Sequence, residues 1–196
     1  MPHQAETARD RILNAANKLF YAEGIRAVSL DTIAEKAGIT KKTVYYHFKS
    51  KDVLIEAYLA SRDQPNLAQF RKWYSDAQGG VPEKVEAIFR QIAKAASHPK
   101  WKGCGFLRTA GELANMPGHP AMKVGAAHKK KFEAWMAAEF EEAGLARASA
   151  LARHVLLLLD GTFSTILVHR DPAYAEAAGE AAKALVAAAA TEGKRA

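Results

Sequence analysis

Apolar residues recur three and four positions apart along most of this chain, and short polar or glycine-containing breaks divide the pattern into helix-sized pieces. Thr7, with Asp10 three residues on, has the spacing of a capping box, and Ile12, Ala16, Leu19 and Phe20 follow as one stripe. Gly24 closes that helix. A second helix is predicted from an N-cap at Ser29 through Leu30, Ile33, Ala34 and Ala37 to Gly38, and a third starts at Thr40 and carries Val44 and Phe48 on one face. Ser50 caps a longer helix from Lys51 toward Ser75, with Val53, Leu54, Ala57 and Tyr58 facing inward and Pro65 expected to kink or interrupt it.

Beyond Gly79-Gly80, Pro82-Glu83 opens a helix carrying Val85, Ile88, Phe89 and Ile92 that stops at His98-Pro99. A short helix follows over Phe106 to Asn115, and a longer one from Pro120 to Ala143 stops at Gly144. The last two helices, Ala146 to His169 and Pro172 to Thr191, carry apolar or small residues almost all round. That pattern predicts burial on more than one side. The polar tail Glu192 to Ala196 is expected to fray. The fold class is therefore all-α: residues 1–50 form a three-helix N-terminal domain and residues 51–196 a C-terminal helical domain.

Composition adds little to the fold and something to the setting. Abundant alanine favours helices. The single cysteine, Cys104, cannot pair within the chain, so nothing depends on an oxidising compartment. The uninterrupted apolar runs, Val155 to Leu159 among them, are far too short to span a bilayer, and the N-terminus lacks a signal-peptide pattern, so a cytoplasmic location without membrane insertion is expected. The net charge of +7 divides into +2 for residues 1–64 (ten Lys and Arg against eight Asp and Glu) and +5 for the rest (eighteen against thirteen), so the total does not locate a nucleic-acid surface. Locally the picture differs: Gly38 to Lys51 holds Lys41, Lys42, Lys49 and Lys51 and no acid.

Two short helices separated by Gly38-Ile39 have helix-turn-helix spacing. Val44, Phe48 and Ile39 can pack on Ile33, Ala37 and Leu54, leaving Lys42, Tyr45 and Tyr46, with Thr43 beside them, on the opposite face. A basic, aromatic and hydroxyl-bearing helix of this size suits a DNA major groove. Lys41, Lys42 and Lys51 can neutralise phosphates, Lys51 together with the N–H groups of its own helix start. Thr40 and Thr43 suit a phosphate or a thymine methyl, and Tyr45, Tyr46 and His47 offer donors. Ser29 and Thr32 can touch the DNA backbone. Ser29 and Thr40 also read simply as caps, and one tyrosine as packing.

The run from Ala34 to Leu54 resembles the signature of the TetR family of regulators, with Gly38, Tyr45, His47, Phe48 and Lys51 matching residue by residue. The resemblance implies DNA contacts near phosphates for Tyr45, His47 and Lys51. Lys42 departs from the small residue often found at its position. It further implies a homodimer on a palindromic operator, repressor action, and a divergent helical domain in which a small-molecule effector changes the spacing of two DNA-binding units. Gly103-Cys104-Gly105-Phe106-Leu107 is similar to a turn in one subset of the family, where it opens a helix beside the effector pocket.

For a largely apolar effector the candidates are Phe89, Ile92, Trp101, Cys104, Phe106, Trp135, Met136 and Phe163, with Glu112, His128 and Asp160 as polar groups to orient it. Each of these also reads as ordinary core or as a paired surface residue. The last two helices would form a four-helix dimer interface, or else be buried within one chain. Cys104 reads as a small buried hydrophobe before it reads as a redox sensor, and Lys129-Lys130-Lys131 as a solvated helix face. The histidines lack metal-ligand spacing, and no cofactor or metal is expected. An enzyme in the C-terminal domain is the alternative reading, but no nucleophile with its base, convergent carboxylates or phosphate loop marks one. A non-specific nucleic-acid protein is a third.

Overall fold

Helix α1, Ala8–Glu23, begins where side chains can close its first turn: Thr7 Oγ1 accepts from Asp10 N at 3.2 Å while Thr7 N donates to the Asp10 carboxylate at 3.3 Å. The computed structural model describes residues 6–193, and the described residues form nine helices. Three are short: α2 is Leu30–Ala37, α3 is Lys41–His47 and α6 is Gly105–Glu112. The others are α4 (Lys51–Ser75), α5 (Val81–Ala96), α7 (Pro120–Glu142), α8 (Ala148–His169) and α9 (Ala173–Gly193). The all-helical expectation is met. Of the tail expected to fray, 194–196 lie outside the described residues, while α9 runs on to Gly193.

Of the kink or interruption expected at Pro65, the interruption does not occur: α4 runs continuously through it. The proline forfeits one backbone N–H and crowds the preceding turn. Buried apolar anchors on both sides of it, Tyr58 and Leu59 before and Leu67, Phe70 and Tyr74 after, hold the helix in register through the defect.

The chain divides into two compact units that are not contiguous in sequence. The first runs to Asp63 and takes in Cys104–Ala126, so α6 and the start of α7 belong with the N-terminal helices; the expected boundary after residue 50 falls inside it. Its core joins Ile12, Ala16 and Phe20 of α1, Ile33 of α2, Val44 of α3, Leu54 and Tyr58 of α4, Phe106 of α6 and Ala121 of α7. Phe20 meets Tyr58 edge-on at 5.5 Å. Gly105 fits here because it lacks a side chain: a Cβ would stand 2.8 Å from the Tyr58 hydroxyl.

The second unit holds Gln64–Gly103 and the chain from Ala127 onward. Helices α5 and α9 pack closely, since a Cβ at Gly179 would fall 2.9 Å from Phe89 Cβ. An aromatic cluster joins Phe70, Phe132, Trp135 and Tyr74, with neighbouring ring centroids 5.2–5.6 Å apart. Helix α8 is long and apolar enough to cross a membrane, with a mean hydropathy of 1.5, a feature the short uninterrupted runs concealed. Its Leu151, Ala152, Val155, Leu159, Thr162, Phe163 and Ile166 are nevertheless spent on the protein core, and Arg153, His154 and Asp160 punctuate it.

Candidate nucleic-acid interface

The turn between α2 and α3 is set by Gly38, which takes the left-handed conformation (φ 65°, ψ 41°). Its N–H and that of Ile39 return to the carbonyls of Glu35 and Ala34, each at 3.0 Å, satisfying the free end of α2. Only glycine adopts this conformation without a steric cost. Thr40 then caps α3, its Oγ1 accepting from Thr43 N at 3.2 Å and lying 2.9 Å from the Thr43 hydroxyl. Ser29 and Thr32 repeat the arrangement on α2, with distances of 3.0 and 2.9 Å. Ser29 and Thr40 therefore cap their helices, and Thr32 and Thr43 hydrogen-bond to those caps, whatever else the four residues touch.

Helix α3 is held from behind. Val44 and Phe48 are buried, each contributing on the order of 1.5–3 kcal/mol. Arg9 of α1 lies over the Phe48 ring at 5.1 Å, a cation–π contact the sequence did not suggest. The outward face carries Lys42, Tyr45 and Tyr46, with Tyr46 76% exposed and meeting the His47 ring edge-on at 5.1 Å. Thr43 and His47 are partly covered. Lys49 is open to solvent just beyond α3.

Two of the expected phosphate ligands have partners already. Lys41 Nζ stands 2.8 Å from the Asp31 carboxylate of α2, and this hydrogen bond and charge hold its ammonium above the ordinary range. The acid-free stretch from Gly38 to Lys51 thus borrows an acid from the preceding helix, through an exposed pair that water and salt weaken. Lys51 Nζ points back to the Arg26 carbonyl at 3.4 Å. Partial burial pushes its pKa down, against the opposing pull of Glu112 and Asp52.

The effector candidates are divided between the two units. Cys104, Phe106 and Glu112 lie in the first unit, and Phe89, Ile92, Trp101, His128, Trp135, Met136, Asp160 and Phe163 in the second. Cys104 is the N-cap of α6, so the Gly-Cys-Gly-Phe-Leu turn does open a helix, and Phe106 is core. Glu112 is committed to the backbone of Ile25 and Arg26, which it meets at 3.1 and 2.8 Å. Phe89, Ile92 and Met136 are fully enclosed by packing, and Trp135 donates its indole N–H to Glu139 at 2.9 Å. One local group in the second unit keeps a mixed character: Lys129 pairs with Asp160 and lies 5.9 Å from the Phe163 ring, which stacks on Trp101 at 6.2 Å. His128 is buried nearby in sequence on α7.

A buttressed helix-turn-helix with a basic, aromatic outward face, followed by a separate helical unit, defines a DNA-reading regulator fold. Residues 12–58 match the family described as bacterial regulatory proteins, tetR family. Over 99 residues the chain is 47% identical to the HTH-type transcriptional regulator SrpR of Pseudomonas putida and 45% identical to the uncharacterized HTH-type regulator TtgW of the same species. The matched region is 50% of this chain in both cases, and covers 44% of SrpR and 70% of TtgW. The chain thus spans less than half the length of SrpR. A crystal structure of a TetR-family transcriptional regulator from Streptomyces coelicolor superposes with a TM-score of 0.82 at 31% identity, covering 95% of this chain and 97% of that one. The chain belongs to the TetR family of transcriptional regulators, which are not enzymes.

Proposed function

We propose that this protein is a ligand-responsive repressor that binds a palindromic DNA operator as a homodimer in the cytoplasm. The outward face of α3 carries the reading: Lys42, Tyr45 and Tyr46 are exposed on a helix whose inner residues, Val44 and Phe48, are locked into the core. Such a helix enters a major groove as a rigid block, Lys42 and Tyr46 meeting base edges. Lys41, Lys51, Tyr45, His47, Thr40, Thr43, Ser29 and Thr32 meet phosphates or frame the contact. Lys41 exchanges Asp31 for a phosphate on binding, a trade between two exposed partners. An occupied operator excludes other proteins from that stretch of duplex, and repression is the simplest consequence.

Dimerisation is supported by an apolar face that a single chain leaves open. On α8 and α9, Leu157 and Val168 are 64% and 76% exposed, and Leu185 and Tyr174 are exposed as well. A groove of about 590 Å³ runs beside Leu157, Leu158, Gly161, Tyr174, Ala178 and Leu185. The sequence expected these helices to be buried on more than one side. Within one chain they are not, and a second copy related by a two-fold axis supplies the missing cover. Two copies place two α3 helices on two half-sites.

For the effector, the favoured place is the second unit beside Trp101, Phe163, Lys129 and Asp160, where stacked rings adjoin a partly buried ion pair. A largely apolar molecule with one polar group fits that chemistry. It releases DNA only by preferring an arrangement of the dimer that the operator does not accept.

The reading is tested by competition: the purified protein should hold a palindromic duplex against a large excess of bulk DNA. Equal loss of every duplex to the competitor would leave a non-specific binder, and no retention at all would end the proposal.

A further inference from the structure

Two side chains of α6, one turn apart, reach back more than eighty residues to the end of α1. Arg108 donates to the Tyr21 carbonyl. Glu112 receives two backbone N–H groups on its two oxygens, Ile25 N at 3.1 Å and Arg26 N at 2.8 Å. The cation thus sits on the carbonyl end of α1 and the carboxylate on the free N–H groups that follow, each matched to the local backbone dipole. Gly24, between them, has φ 92°, and a Cβ there would stand 2.9 Å from Glu112 Oε1. The carbonyl of the same Arg26 faces Lys51 Nζ at 3.4 Å. The turn that leads into α2 is therefore held through its N–H groups by α6 and through a carbonyl by the first residue of α4.

We infer that Glu112, assisted by Arg108, is a positioning residue for DNA binding: its carboxylate fixes the Gly24–Arg26 turn and thereby the entry of α2, against which the reading helix α3 is braced. The inference rests on the proposed DNA-binding function and adds α6 to the machinery of that site. It also gives Glu112 a task other than holding an effector. No base or phosphate contact is required of it, since its side chain is spent on the protein's own backbone. A turn without its acceptor populates other arrangements, and affinity falls by the fraction that remains competent.

The sign of the effect separates positioning from charge. Removing an anion from a DNA-binding unit should strengthen DNA binding by simple electrostatics. Positioning makes the opposite demand. Glu112→Gln leaves one acceptor oxygen and turns an NH2 group toward a backbone N–H, and Glu112→Asp keeps the charge but withdraws the carboxylate by one methylene. Both variants should bind the selected operator roughly tenfold more weakly, with an unchanged dependence on salt, and amide exchange at Ile25 and Arg26 should quicken in the free protein while the rest of the unit stays protected. Asn115→Ala, on the same groove, should bind as the wild type does. Wild-type operator binding with Glu112→Gln equal or tighter, or with Glu112→Asp unchanged, would overturn the inference and leave the DNA-binding function standing. A wild-type protein that ignores all duplexes would instead remove the function on which it rests. If Glu112→Gln does not fold, Glu112→Asp and the exchange pattern decide.

Discussion

Leu157 offers the sharpest test of how two copies meet. Burying an exposed leucine side chain completely is worth about 1.5–3 kcal/mol, and at 64% exposure roughly 1–2 kcal/mol of that is still available to a partner. A two-fold interface buries the residue twice, so about 2–4 kcal/mol is at stake per dimer. At 1.4 kcal/mol per tenfold change, Leu157→Asp should raise the dimer dissociation constant by roughly 30- to 700-fold. The carboxylate that the interface would have to desolvate adds to this. Sedimentation velocity across the micromolar range should show a dimer for the wild type and a monomer or a fast exchange for the variant. Far-UV circular dichroism should stay the same, because the residue lies outside the core of its own chain. The variant should also lose affinity for a two-half-site operator far more than for a single half-site. A Leu157→Asp protein that sediments as the wild-type dimer does, or a wild type that is monomeric at these concentrations, would refute the assignment of this face.

Two further outcomes follow from the charges. Replacing Lys51 by Ala should weaken binding to every sequence alike and reduce the slope of log K against log salt by about 0.9, the share of one phosphate contact; an unchanged slope would take Lys51 off the phosphates. Burial, reinforced by Glu139 and Glu142, pushes the Tyr74 phenol up to about 12. The fold keeps that proton where the unfolded chain has lost it, so the contribution is complete below about pH 10 and is lost as pH rises toward 12. Denaturant unfolding should show this alkaline loss in the wild type and less of it in Tyr74→Phe, and superimposable pH curves for the two proteins would contradict it.

Local features of this fold were legible in the sequence because their causes are local. The Thr7–Asp10 box, the caps at Ser29 and Thr40, the left-handed Gly38 and the inward pair Val44 and Phe48 each depend on residues within a few positions of one another. Contacts between distant segments were not. The sequence placed Glu112 among effector ligands because nothing near it reveals that its partners are Ile25 and Arg26. Lys41 looked free because Asp31 lies on another helix. Pro65 left a kink or an interruption open because a local rule cannot weigh the apolar residues buried on either side of it. The eleven effector candidates were chosen as large or polar residues on the right helices, and that criterion does not separate a cavity wall from a packed core.

The central claim, that the outward face of α3 reads duplex sequence, is tested most directly by selecting sites from a random pool of duplex DNA with the wild type and with Lys42→Ala and Tyr46→Ala. The account predicts that the wild type enriches a palindrome with half-sites spaced by about one helical turn of DNA or somewhat more, and that the variants relax the preference at particular base pairs within each half-site. Enrichment of no motif, or of the same motif with the same strength by all three proteins, would contradict it.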